Sequence, residues 1–224
     1  MNGPRLVIFD FDGTLVDSRR PILAAMRAAF AALGEAAPPE AEILAIVGLS
    51  LPQAFATLRP GLPAEAIARL ARAYRDAFAA RHRQGALAAD APLFPGARAA
   101  LERLSADPAT LIGIATGKGR RGLDQMLALH GLGHHFATLQ TADLHPSKPH
   151  PAMLHAALAE TGVEPAAAVM VGDTEFDIAM ARAAGLRSVG VTWGYHPPSR
   201  LRAAGADIVV DSFAALEAVL EEAA

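Results

Sequence analysis

The chain predicts an α/β fold on a parallel sheet, with an all-helical unit inserted near its start, and three observations carry that prediction. From Phe94 onward, short apolar runs alternate with helical patterns, the order that produces a parallel sheet covered on both faces. Residues 18–90 carry helical periodicity and no strand signal. At the start, the apolar run Leu6-Val7-Ile8-Phe9 ends abruptly in Asp10-Phe11-Asp12-Gly13. Together these give a Rossmann-like three-layer core from residues 1–17 and 91–224 and a helical unit at 18–90.

Each element has a local cause. Asp17 or Ser18 can cap a helix from Arg19 to about Leu33, with Pro21 tolerated in its first turn. Ala36-Ala37-Pro38-Pro39 breaks it, and helical patterns resume at Glu40–Val47, Pro52–Leu58 and Pro63–Arg83. The last places Ile67, Leu70, Tyr74 and Phe78 on one face, at spacings of three to four. Beyond Phe94-Pro95-Gly96 come helix Ala97–Leu104, strand Leu111–Ala115, helix Gly119–Leu129, strand Phe136–Gln140 and helix Pro151–Glu160. Strand Ala167–Val171, helix Glu175–Ala184, strands Arg187–Val191 and Asp207–Val210, and helix Phe213–Leu220 complete the chain.

Composition narrows the function. A net charge of −3 and a pI near 6.2 supply no field for gripping nucleic acid or an anionic membrane. With no Cys there is neither a disulfide framework nor a thiolate metal site. No apolar run has the roughly 18 residues a membrane helix needs, and the few residues before Asp10 do not make a signal peptide, so a cytoplasmic protein is expected. Among 20 cationic residues only Lys118 and Lys148 are lysines, and both follow expected strand ends. A compact ammonium is a better point charge than a forked guanidinium beside a phosphate crowded by carboxylates.

The chemistry-bearing residues fall at strand ends. In extended backbone, residues i and i+2 point to one side, so Asp10 and Asp12 crowd like charges that a cation or proton must relieve, while Gly13 lets the chain turn away. Thr116-Gly117-Lys118 follows the second strand, where a hydroxyl and the N–H groups of a turn can hold phosphate oxygens. Lys148 stands in the loop after the third strand and Asp173 after the fourth. Because ligands bind at the carboxyl ends of strands in open parallel sheets, these segments converge on one crevice.

Plain structural readings stand beside these. Asp173, Thr174, Glu175 and Asp177 could simply cap a helix. Gly117-Lys118-Gly119-Arg120-Arg121-Gly122, with Asp143 further on, matches a dinucleotide fingerprint, but it follows the second strand rather than the first. The eight histidines, His134 and His135 included, fit no tight zinc spacing. Trp193-Gly194-Tyr195-His196 reads equally as a packed aromatic turn, and the role of Lys118 stays open.

Asp10-Phe11-Asp12-Gly13-Thr14-Leu15-Val16-Asp17-Ser18 resembles the first motif of the haloacid dehalogenase superfamily, in its phosphatase branch. Thr116, Lys148, and Asp173 with Asp177 stand in order at the positions of the remaining motifs, and Lys148-Pro149-His150-Pro151 resembles the family's Lys-Pro-x-Pro pattern. The resemblance implies hydrolysis of a small phosphate monoester through an aspartyl-phosphate. Asp10 would be the nucleophile, Asp12 the general acid/base, and Thr116, Gly117 and Lys148 the phosphate-holding groups. A hard cation suits such a carboxylate cluster. Mg2+ is expected on Asp10, the backbone carbonyl of Asp12, and Asp173, with Asp177 behind them orienting a water or Lys148.

The residues at 18–90 would be a helical cap of the family's first type. The overall pattern resembles phosphoglycolate phosphatases, and the uncharged stretch Ile46–Pro52 lacks the arginine that hexose-phosphate mutases place nearby. Alternatives are a β-phosphoglucomutase-like phosphotransferase and a non-catalytic phospho-ligand binding protein. The expected partner is a small phosphorylated metabolite, with no nucleic acid and no membrane, and the protein is expected to be a monomer or homodimer.

Overall fold

The computed structural model describes residues 4–85 and 87–222. Among the described residues, six strands form one sheet: β1 (Arg5–Phe9), β2 (Thr110–Thr116), β3 (Thr138–Thr141), β4 (Ala168–Gly172), β5 (Arg187–Val191) and β6 (Ile208–Val210). They lie in the order β3-β2-β1-β4-β5-β6, and every neighbouring pair is parallel. This is the Rossmann strand order, in which the direction of winding reverses between β1 and β4.

The helices preceding β2 are α1 (Arg19–Ala31), α2 (Glu40–Leu44), α3 (Leu51–Leu58), α4 (Ala64–Arg83), α5 (Leu87–Asp90) and α6 (Ala97–Ala106). Between and after the later strands come α7 (Arg120–His130), α8 (Ala152–Thr161), α9 (Glu175–Ala184), α10 (Pro198–Ala203) and α11 (Phe213–Glu222). No helix among the described residues is long and apolar enough to cross a membrane.

Alternation along β1 generates the three layers. Val7 and Phe9 point to the face covered by α6, α7 and α11, meeting Leu101, Leu123 and Leu216. Leu6 and Ile8 point to the other, meeting Met153 and Leu154 of α8 and Met180 of α9. A strand apolar on both faces is what a doubly covered parallel sheet requires. A separate apolar cluster joins α1 to α4, with Phe30 edge-on to Phe55 at 6.0 Å and Phe55 edge-on to Tyr74 at 6.5 Å. Phe176 and Tyr195 lean against it from the sheet's carboxyl edge.

Local departures from expectation have local reasons. The helix expected over Glu40–Val47 stops at Leu44, and the chain continues through turns to Gly48 at φ +103°. β3 starts at Thr138 because Gly133–His135 forms a 3-10 turn first. Between the strands expected at Arg187–Val191 and Asp207–Val210 lies a helix not among the expected elements, α10, which Pro197 and Pro198 open, since Pro fits the first turn of a helix. Ser18 stands at the N-cap of α1 without capping it. Its hydroxyl is drawn to Asp12, and Asp17 Oδ1 accepts from Arg19 N instead, at 3.1 Å.

Candidate active site

The reversal between β1 and β4 opens the crevice at which such sheets bind ligands. Asp10 follows β1, its N–H donating to Val171 O at 2.9 Å, and Asp173 follows β4. Thr116 is the last residue of β2, and Lys148 lies between β3 and α8. The four segments therefore meet at one edge of the sheet.

Asp10, Asp173 and Asp177 form the inner part of the site, where all three are buried and offer carboxylate oxygens within 4.8 Å of one another. Lys148 reaches them from behind, its Nζ 3.0 Å from Asp10 Oδ1 and donating to Asp177 Oδ1 at 2.6 Å. Asp10 Oδ1 also accepts from Phe11 N at 2.7 Å. The other Asp177 oxygen accepts from Thr174 N at 3.0 Å and Thr174 Oγ1 at 2.7 Å, so the capping function expected of this segment is real and coexists with the lysine contact. Asp173 accepts from Thr14 Oγ1 at 2.9 Å and from Tyr195 N at 2.8 Å.

Gly13 and Gly194 allow this approach. Gly13 has φ +90°, and a Cβ there would lie 2.3 Å from Asp173 Oδ2; one on Gly194 would lie 2.2 Å from Asp173 Cβ. The turn expected at Gly13 is thus also a steric requirement of the cluster.

Asp12 separates from this group. Its Oδ2 lies 2.9 Å from Lys118 Nζ, and its Oδ1 accepts from Ser18 Oγ. The crowding expected of four carboxylates holds for three, because β1 ends at Phe9 and the chain folds into a turn in which Gly13 N donates to Val16 O at 2.9 Å. Asp10 and Asp12 each end on a different lysine, and the chain has only two.

The inner cluster fits a hard divalent cation. Three buried carboxylates face one lysine, and Asp10 Oδ2 is buried with no hydrogen-bond partner. Burial pushes the Asp10 carboxyl up to about 7, against the pull of Lys148 and with the push of Asp177. Burial, followed by the charges of Asp177 and Asp10, raises Asp173 well above the usual carboxylate range. Burial pulls Lys148 down, but Asp10 and Asp177 outweigh it and hold it above its ordinary value. An all-oxygen set with excess negative charge is what Mg2+ or another hard cation binds, relieving both raised carboxyls.

A cavity of about 760 Å³ opens onto Asp10, Asp12, Thr116, Gly117 and Lys118. The helical segment forms its opposite wall with Ile22, Met26, Val47, Leu49, Arg72 and Arg75. Contact across the crevice is close: a Cβ on Gly117 would lie 2.4 Å from Gly48 O, and Ser50 N donates to Ser147 Oγ at 2.9 Å. Lys148 contacts Asp10 from behind and is not part of the cavity wall.

The loop Trp193–His196 straps the site to the helical segment. Trp193 Nε1 donates to Thr14 O at 3.0 Å, and Tyr195 OH accepts from Ser18 N at 3.0 Å. His196 Nδ1 accepts from Glu175 N at 3.1 Å, which leaves Nε2–H to donate to Ala45 O at 3.1 Å. These contacts are backbone-mediated at one end, so residue type alone gives little sign of them.

Other motifs resolve into structural roles. Asp143 accepts from Arg120 N at 3.1 Å and caps α7 in place of Gly119, which has no side chain to do so. His135 Nδ1 bonds Ser105 Oγ at 2.8 Å, and among the described residues the cluster able to hold a metal contains no histidine.

Residues 7–191 match the family model of haloacid dehalogenase-like hydrolases. A Dickeya dadantii protein named "Probable phosphatase IndB" is 38% identical over 93% of this chain and 90% of its own length. A plasmid-borne phosphoglycolate phosphatase of Cupriavidus necator is 35% identical over 97% of this chain and 93% of its own. A haloacid dehalogenase-like hydrolase from Streptococcus pneumoniae superposes with a TM-score of 0.83 at 28% identity, covering 98% of this chain and 99% of that one. The chain belongs to the haloacid dehalogenase-like hydrolase family.

Proposed function

We propose that the protein is a Mg2+-dependent phosphatase that hydrolyses a small phosphate monoester through an aspartyl-phosphate on Asp10. The observation that carries this reading is the division of one strand end into two unlike carboxylates. Asp10 sits in the buried acid cluster, and Asp12 stands apart on Lys118 and Ser18, facing the cavity. Two carboxyl groups in contrasting environments suit a nucleophile and an acid/base.

Asp10 attacks phosphorus, forming an acyl phosphate as the bond to the leaving oxygen breaks, and Asp12 gives that oxygen its proton. Water then attacks phosphorus, Asp12 takes its proton, and the Asp10 carboxylate is regenerated. The Thr116 hydroxyl and the Gly117 N–H, on the cavity wall, hold the phosphoryl oxygens, and Lys148, which meets Asp10 from behind, adds its charge to that hold. Asp10, the backbone carbonyl of Asp12, and Asp173 would hold Mg2+, with Asp177 fixing Lys148 behind them. The bound cation supplies charge neutralisation for the phosphoryl group and the carboxylates around it.

Residues 18–90 act in this reading as a cap that excludes water and contacts the leaving group. The uncharged stretch Ile46–Pro52 does not complete the cavity wall, because Arg72 and Arg75 of α4 and Arg121 of α7 line the same space. Among the described residues none of the three forms an ion pair within the chain. They favour a leaving group with its own negative charge, as in phosphoglycolate. Those same cations could grip the second phosphate of a sugar bisphosphate, which keeps a β-phosphoglucomutase-like transfer as the second reading.

Assaying phosphoglycolate, ethyl phosphate and a hexose phosphate with Mg2+ separates these readings. The phosphatase reading expects inorganic phosphate to be released and kcat/KM to be highest for phosphoglycolate. Phosphate release no faster than with buffer would contradict it, and transfer to a sugar phosphate in preference to water would establish the mutase.

A further inference from the structure

Lys118 lies outside the metal cluster and outside every role assigned so far, yet it is one of two lysines in the chain and its side chain is only 9% exposed. Its Nζ stands 2.9 Å from Asp12 Oδ2 and 4.5 Å from the centre of the Phe78 ring. Phe78 belongs to α4 of the helical segment, and Lys118 to the turn between β2 and α7. Gly122 lies against the lysine stem, where a Cβ would come 3.3 Å from Lys118 Cγ. The other oxygen of Asp12 is held by Ser18, the residue that leads into α1.

We infer that Lys118 is a positioning residue for Asp12, and that its cation–π contact with Phe78 makes this positioning depend on the helical segment being closed. The inference rests on the proposed acid/base role of Asp12. A carboxylate at a strand end has rotational freedom that the chemistry cannot use. Ser18 on one oxygen and Lys118 on the other remove it, and a proton can then pass between Asp12 and the leaving oxygen in one fixed direction. Two of the three groups that complete this arrangement, Ser18 and Phe78, come from the helical segment, so an open segment leaves Lys118 without its aromatic platform and Asp12 without its hydroxyl donor.

The positioning role separates from direct phosphoryl binding by its dependence on the leaving group. p-Nitrophenolate departs without a proton, whereas the more basic phenolate needs one. Because kcat/KM reports only steps through release of the first product, it isolates that departure. In Lys118→Met, which keeps an apolar stem against Phe78, kcat/KM for phenyl phosphate should fall about tenfold or more beyond the fall for p-nitrophenyl phosphate. Equal losses on the two esters would make Lys118 a phosphoryl ligand, and no loss on either would make it structural. Either result overturns the inference while leaving the phosphatase reading intact.

Should Lys118→Met fail to fold, Lys118→Arg carries the test. It keeps the cation but replaces the compact ammonium, and should show the same selective loss on phenyl phosphate to a smaller degree. In an Asp12→Asn background the Lys118 substitution should add nothing, and a full additional loss there would also overturn the inference. Wild-type protein that hydrolyses neither ester with Mg2+ would remove the phosphatase reading itself, and the positioning role with it.

Discussion

The two lysines hold the two ends of one site in different ways. Lys148 is enclosed by the sheet's carboxyl edge, where it touches Asp10 and Asp177, and every group that fixes those carboxylates, from Phe11 N to Thr174, belongs to the sheet or its immediate turns. Lys118 is shared. It holds Asp12 from the core while Phe78 and Ser18 approach from the helical side. In the proposed reading, chemistry common to all phosphate esters is built on the sheet, and the part that depends on the leaving group is built jointly with the helical segment that encloses it.

The largest expected effect lies on the inner side. Asp10→Asn should lower turnover of p-nitrophenyl phosphate by on the order of 10⁴-fold or more, as when a nucleophile is lost. Steady-state assays of purified variant check this, and retained turnover would point to another nucleophile. Asp12→Asn should cost about 10²- to 10⁴-fold on esters with basic leaving groups.

Stability should divide the two lysines in the same direction. Lys148→Met leaves three buried carboxylates with no countercharge and should cost about 3–5 kcal/mol in chelator, as when one partner of a buried pair is removed. Lys118→Met should cost much less, because Asp12 keeps Ser18 and borders the cavity. Urea unfolding measures both, and equal losses would erase the distinction. Mg2+ should raise the wild-type melting temperature by binding only the folded state, and Asp173→Asn should abolish that rise.

Much of this site is legible in the sequence. Asp10, Thr116, Lys148 and Asp173 stand at or soon after strand ends, and strand order alone brings such positions together. Asp177 is legible twice, as a helix cap and as a partner of Lys148, and it serves as both. Illegible parts act through the backbone or through long reach. Tyr195 holds Asp173 by its N–H, which any residue but proline could provide, and its hydroxyl meets Ser18 across 177 positions. Ser18 reads as a cap because local pattern cannot show a hydroxyl turned toward a distant carboxylate. Lys118 stands out by composition, but Asp12 becomes its partner only once β1 pairs with β2, and Phe78 only once α4 reaches the turn after β2.

The smallest expected effect concerns the strap that joins the two sides. Burial, with the charge of Arg200 adding to it, lowers the pKa of His196 below its ordinary 6.5, while Glu175, Asp177 and the Ala45 carbonyl pull upward. The folded state therefore prefers neutral His196, so its contribution is complete above about pH 6.5 and is lost as pH falls through the lowered folded value. His196→Gln should flatten this acid limb relative to wild type in parallel urea titrations. An identical pH dependence in the two proteins would show that the strap does not depend on the neutral ring.

The division of labour between Asp10 and Asp12 is tested most directly by trapping the phosphorylated protein. In Asp12→Asn, p-nitrophenyl phosphate with Mg2+ should phosphorylate Asp10, because its leaving group needs no acid, and the product should accumulate because no base activates water. Intact mass should rise by one phosphoryl group, which peptide mapping places on Asp10. An unmodified protein after release of p-nitrophenol, or a phosphoryl group on any other residue, would contradict these roles.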